Sequence, residues 1–190
     1  MSQATRALAP TLVPNQTLVR QIAFVLGGAA LTALAAQVSI PWAPVPFTLQ
    51  TLAVTICGIT LGARLGTISQ FLYLVAGMCG LPVFANGAFG VSQVFGVTGG
   101  YLLAFVLAAG LLGWLADRGW DRKVVPASIA VLGGNFLIML LGTTWLSRFT
   151  GWSSAWALGF VPFISGAVLK SCVVIAAMPL TWKLIGKDRA

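Results

Sequence analysis

The chain reads as an all-α membrane protein of six transmembrane helices, with N- and C-termini cytoplasmic and a re-entrant external loop between helices 3 and 4. Three observations carry that expectation. Of 190 residues, 58% are hydrophobic and 7% charged, where a soluble domain has about 25% charged residues. Mean hydropathy is +0.96, too high for a soluble core at this length to hide. Six apolar segments, about 18–38, 47–63, 65–81, 98–117, 124–147 and 160–185, each approach the ~20 residues that span a bilayer as helix. Barrel strands would instead alternate over ~10 residues between turns, and backbone in lipid must satisfy its own hydrogen bonds.

Residues 1–17, with Pro10 and Pro14, form a loose cytoplasmic N-terminal segment. Residues 18–190 form the membrane domain. The first apolar run follows Arg20 and ends in Ala33-Leu34-Ala35-Ala36, which imitates a cleavable signal. Retaining it as a span keeps the charge balance. With six spans the cytoplasmic side receives Arg6, Arg20, Arg64, Arg118, Arg122, Lys123, Lys183, Lys187 and Arg189, and the external side only Arg148. That asymmetry follows the positive-inside rule. It also makes the Lys+Arg excess a matter of orientation in the lipid bilayer, with no nucleic acid partner implied. The second and third segments turn tightly at Gly62-Ala63-Arg64. Residues 81–96 are too apolar for a solvated loop and too rich in glycine for a stable helix, so they fold back over the outer mouth as a lid or pocket floor.

Lys170 stands out because no other charge lies inside a long apolar stretch. A cation in hydrocarbon costs about 2.5–3.5 kcal/mol or more, so a partner, a wet cavity or an anionic ligand must offset it. Thr48, Gln50, Asn86, Gln93, Thr98, Tyr101 and Asn135 fall at comparable depth in the outer half. Phe47, Phe84, Phe89, Phe95, Tyr101, Trp152 and Phe163 supply apolar walls. Together these make a pocket for a small ligand with a polar end and an apolar body. Each residue also has a plainer use: helix bonding for Asn135, N-capping for Thr48 and Thr98, interfacial anchoring for Trp152 and Trp156, and snorkelling for Lys170. Ala29 and Ala33 form a small-xxx-small face, suited to packing or to docking another membrane protein.

Several chemistries are excluded. The chain has no His, no Walker A run and no HExxH. Its acids, Asp117, Asp121 and Asp188, lie at the cytoplasmic edge, away from the positions of a proton relay. Cys57, Cys79 and Cys172 lack metal-ligand spacing. Neither an enzyme nor a cofactor is indicated, and the energy for moving a solute would come from a partner.

The runs Val45-Pro46-Phe47-Thr48-Leu49-Gln50-Thr51-Leu52-Ala53-Val54, Gly80-Leu81-Pro82-Val83-Phe84-Ala85 and Thr98-Gly99-Gly100-Tyr101-Leu102-Leu103 carry a family likeness. Gly62-Ala63-Arg64-Leu65-Gly66, Tyr73-Leu74 and the segment from Pro162-Phe163 to Lys170 extend it in order, from about residue 20 to 183. The chain resembles the BioY family, biotin-specific S components of energy-coupling factor transporters. That resemblance implies capture of biotin from outside and assembly with a transmembrane coupling subunit and two cytoplasmic ATPase subunits in the cell inner (plasma) membrane. With the pocket read above, the expected substrate contacts are Thr48, Gln50, Phe84, Asn86, Tyr101, Asn135 and Lys170; the resemblance itself implies a ligand role for the lysine and coupling-subunit contacts at Ala29 and Ala33. One departure stands out: the acid that family members often carry before the lysine is Ala167 here. Asn86, Asn135 and Gln50 remain as acceptors, and both the valerate carboxylate and the ureido carbonyl remain open as the partner of Lys170.

Overall fold

A computed structural model describes residues 7–12 and 17–185. The charge positions Arg6, Lys187, Asp188 and Arg189 lie outside the described residues. Of the N-terminal segment, residues 7–12 carry the short helix α1 (Leu8–Leu12). Five longer helices follow the apolar pattern: α2 (Leu18–Gln37), α3 (Gln50–Met78), α5 (Gly99–Ala116), α6 (Val124–Thr150) and α8 (Val161–Ile185). Between them lie a two-residue β-hairpin, β1 (Ser39–Ile40) with β2 (Phe47–Thr48), and the short helices α4 (Val91–Phe95) and α7 (Trp152–Ala155). A π-turn over Trp156–Phe160 joins α7 to α8. Five stretches among the described residues are long and apolar enough to cross a membrane, the last running from Trp152 to Ile185.

α3 is not one straight rod. Gly62 sits at φ 81°, ψ 175° inside it, a backbone region that side chains rarely enter and glycine adopts freely. The chain reverses there. Gln50 and Tyr73, which a continuous helix would hold ~34 Å apart, share a hydrogen bond. A Cβ on Gly66 would stand 3.1 Å from the Cα of Gly58. The segments expected at 47–63 and 65–81 are therefore the two antiparallel arms of α3. Asp117 completes the reversal: its carboxylate accepts the backbone N–H of Ala63 at 3.0 Å and of Ala7 at 3.2 Å. Amides opened by the break are thus satisfied by an acid at the N-terminus of the second arm, where the helix dipole favours negative charge.

Around this hairpin the other helices bury complementary stripes. α2 lays Gly28, Ala29, Thr32 and Ala36 inward, and Thr32 exchanges hydrogen bonds with Gln70 of the second arm where both are fully buried. α5 is the central element, with eleven residues buried. α8 is peripheral, burying only the stripe Ser171, Val174, Met178 and Trp182. One apolar cluster, with Val45, Phe84, Tyr101 and Phe105, occupies one end of the bundle. A second, with Ala7, Leu112, Ala116 and Met178, occupies the other. The second end also gathers Arg64, the 118–123 turn and Lys183, since Asp117 bonds Ala63, and Asp121 accepts the Trp182 indole N–H at 2.6 Å.

Candidate ligand-binding site

At the end opposite the basic residues the helices enclose a cavity of about 320 Å³, in the size range of small-molecule sites. Thr48, Gln50, Phe84, Asn86, Tyr101, Asn135 and Lys170, all singled out from sequence, line it together, as do Gln93 and Thr98. The walls add Leu102, Phe105, Ile138 and Met139. Most of the surface is apolar.

Lys170 lines the cavity from α8. Its ammonium donates to the Thr48 carbonyl oxygen and to Thr51 Oγ1, both at 2.8 Å. These oxygens lie at the start of α3, so the cation ties α8 to the first arm and points into the bundle. An ammonium carries three N–H donors, and two are used. Ala167 lines the cavity one turn away, placing a methyl group where an acid would have met the lysine. Among the described residues the acids are Asp117 and Asp121; Asp121 bonds Trp182, roughly 18 Å along α8 from Lys170 at 1.5 Å per residue.

Behind Lys170 the polar groups form a chain. Thr48 Oγ1 donates to Gln50 Oε1 at 2.8 Å and accepts the Gln50 backbone N–H at 3.3 Å. Gln50 Nε2 donates to the hydroxyl of Tyr73, a buried residue. Asn135 bridges three helices, the two N–H groups of its amide nitrogen shared among Val131 O at 3.0 Å, Ser171 Oγ at 3.3 Å and Thr55 Oγ1 at 3.4 Å. Helix bonding and cavity lining are thus both true of Asn135, whose carboxamide oxygen is left for the cavity. Tyr101 contributes its ring, because its hydroxyl donates to Gly159 O at 2.7 Å. Phe163 lines the cavity and stacks on Phe47 with centroids 4.1 Å apart.

Residues 81–96 supply Phe84, Ala85, Asn86, Ala88 and Gln93 to the lining. Phe84 and Val94 point inward, 2% and 3% exposed, while Asn86 takes a left-handed conformation at φ 58° that asparagine tolerates better than most side chains. Gly77 has no Cβ because the Phe84 ring occupies that space: a Cβ there would lie 2.1 Å from ring carbon Cζ. Gln37, the last residue of α2, holds this segment from the side. It donates to Phe84 O at 3.2 Å and accepts the Gly87 N–H at 3.0 Å.

Several sequence readings need correction. Phe89, Phe95 and Trp152 are 58%, 63% and 56% exposed and stay outside the cavity. Aromatic identity does not reveal which face of an irregular segment turns inward, and Trp152 instead packs edge-on against Trp156. The Thr98 side chain makes no cap bond to α5 and donates to Gln93 O. Thr51 was missed as a site residue, although it follows Thr48 by three residues in the motif and so shares its side of the helix start. Ala29 is packed in the apolar cluster at the cavity end, and Ala33 is half-buried against it.

The BioY family model matches residues 3–187. A biotin transporter, BioY2, of Lactococcus lactis subsp. cremoris is 41% identical over 149 residues, covering 77% of this chain and 81% of that protein. A biotin transporter, BioY, of Thermotoga maritima is 38% identical over 162 residues, covering 84% and 94%. A probable biotin transporter of Pyrococcus horikoshii is 36% identical over 156 residues, covering 82% and 92%. The fold is similar to the crystal structure of an S-component for biotin from an ECF-type ABC transporter. The TM-score is 0.75 at 24% identity, over 88% of this chain and 95% of that one.

Proposed function

The chain belongs to the BioY family, a family of transporters and not of enzymes, and from that premise we propose that it binds biotin in the cavity capped by residues 81–96. It takes biotin from the extracytoplasmic side of the inner (plasma) membrane. It then delivers the vitamin for ATP-driven import as the S component of an energy-coupling factor transporter. One observation carries the reading: Lys170, with no carboxylate partner among the described residues, has a donor to spare beside a largely apolar cavity of vitamin size that it lines. An anionic or carbonyl-bearing ligand with an apolar body complements that arrangement. Thr48, Gln50, Asn86 and Asn135 are the proposed polar contacts around it, and Phe84 and Tyr101 the proposed walls.

The topology belongs to the same proposal. Counting both arms of α3, the chain crosses six times, with 81–96 re-entrant. Arg64, Arg118, Arg122, Lys123 and Lys183 gather at the end opposite the cavity, which supports placing that end in the cytoplasm. A transmembrane coupling subunit would approach the open side of α2, where Ala33 is half-buried and Gly27 and Ala30 are exposed. Ala29, packed inward, would act there by letting α2 sit close to the bundle. The ATP would be hydrolysed by two partner ATPase subunits.

Equilibrium binding by the purified chain tests the ligand. Saturable 1:1 binding of labelled biotin, undisturbed by other vitamins in excess, is expected. Tight binding of a different vitamin, with biotin at micromolar affinity or weaker, overturns it. Uptake by vesicles holding this chain alone, without ATPases, would refute the coupled mechanism.

A further inference from the structure

A second cavity lies on the outside of the bundle, in the seam between α5 and α6, and is separate from the biotin site. Its volume is about 270 Å³. Two antiparallel rows line it: Gly100, Leu103, Ala104 and Leu107 on α5, and Leu141, Thr144, Trp145 and Arg148 on α6. Each row repeats at i, i+3, i+4 and i+7, so each is one face of its helix, about 10 Å long at 1.5 Å per residue. That length fits within one ~15 Å hydrocarbon leaflet. Leu107 is 58% exposed and Leu103 39% exposed, so the groove opens sideways, toward where lipid lies.

The groove is built and held open. A Cβ on Gly100 would stand 2.2 Å from the Trp145 Cβ, so only glycine permits this approach of the two helices. The Trp145 indole N–H donates to Gly96 O at 2.9 Å, which fixes the ring as a wall. Arg148 stands at the mouth, its guanidinium 5.1 Å from the centroid of that ring. Arg148 is exposed, and the described acids Asp117 and Asp121 lie at the opposite end of the bundle. It is also the basic residue that departs from the charge asymmetry of the chain, a cation free to meet an anion at that level.

We propose that this groove binds one anionic phospholipid, its phosphate paired with Arg148 and an acyl chain laid along Leu103, Leu107 and Leu141. A guanidinium matches phosphate with two parallel hydrogen bonds. The sideways opening selects a ligand that arrives within the bilayer over a soluble phosphate.

The test uses the full chain in detergent, with mixed micelles of phosphatidylglycerol or phosphatidylcholine and retained lipid counted by native mass spectrometry. One phosphatidylglycerol per chain is expected, with phosphatidylcholine, whose choline cation offsets its phosphate charge beside Arg148, held about tenfold less, or about 1.4 kcal/mol. Arg148→Gln removes that preference. Thr144→Phe, which fills the groove from an exposed position and keeps the charge, lowers retention of both lipids. Equal retention of the two lipids, or wild-type phosphatidylglycerol binding by Arg148→Gln, overturns the proposal. So does equal protection of Arg148 from an arginine reagent by inorganic phosphate. Biotin binding measured on the same samples stays at wild-type strength in both variants, so a failure of this site and a failure of the biotin reading register separately.

Discussion

Replacing Lys170 with methionine keeps the length of the side chain and removes its charge. The ammonium has three donors, and Thr48 O and Thr51 Oγ1 take two at 2.8 Å, leaving one for the ligand. A hydrogen bond from a charged group is worth about 1.5–3 kcal/mol. Its loss therefore weakens ligand binding about 10- to 150-fold, at about 1.4 kcal/mol per decade. The fold should persist. An uncharged side chain is better tolerated at membrane depth. Isothermal titration of detergent-purified Lys170→Met with biotin reads the affinity, and a melting curve without ligand reads the fold. Affinity within twofold of wild type, with an unchanged melting curve, would refute the assignment of this group to the ligand.

Other expectations concern the cover, the packing beneath it and the basic end. Gln37→Leu removes two bonds to the cover, worth about 0.5 kcal/mol each at a partly exposed site. Labelled biotin should then leave about fivefold faster, and an unchanged dissociation rate would show that the cover is held elsewhere. Gly77→Ala drives a methyl into the Phe84 ring, with overpacking of about 1–3 kcal/mol; both melting temperature and ligand retention should fall, and normal values for both contradict the packing. At the opposite end, burial pushes the Asp121 carboxyl up from 3.8 to about 6, against the lowering effect of the Trp182 hydrogen bond and of Arg122. The folded chain holds this proton to higher pH than the unfolded chain. Its stabilising contribution is thus full below pH 3.8 and is lost as pH rises through about 6. Asp121→Asn should flatten that part of a melting-temperature profile, and an unaltered slope would place the titration elsewhere.

Much of this architecture was legible before any coordinates, for physical reasons that differ from element to element. The stretches 18–38, 98–117, 124–147 and 160–185 coincide with α2, α5, α6 and α8 within a few residues, because helices in lipid announce themselves by length and apolarity. Arg64 within Gly62-Ala63-Arg64 marked the reversal of α3, since a charge between two short apolar segments fits the basic side of the bilayer, and the structure adds the positive φ of Gly62. Lys170 was legible because an intramembrane cation is costly and needs a reason. Its partners were harder to find: Thr51 sits 119 residues away in sequence, and a threonine in an apolar run usually bonds its own helix. The 81–96 segment has no period to read, so Phe84 and Phe89 look alike in sequence, yet one is buried and the other open. Ala29 illustrates a different limit, since a small-residue face permits close packing without saying whether the neighbour is the same chain. Asp117 looked like a cytoplasmic-edge charge, and its role in holding Ala7 and Ala63 depended on a turn 54 residues away.

The most direct test is a density map of the protein with biotin bound. The account predicts one molecule inside the cavity beneath residues 81–96, with an oxygen within about 3.2 Å of Lys170 Nζ and its apolar body against Phe84 and Tyr101. Biotin resting outside that cavity, with Lys170 still holding only Thr48 and Thr51, would contradict it.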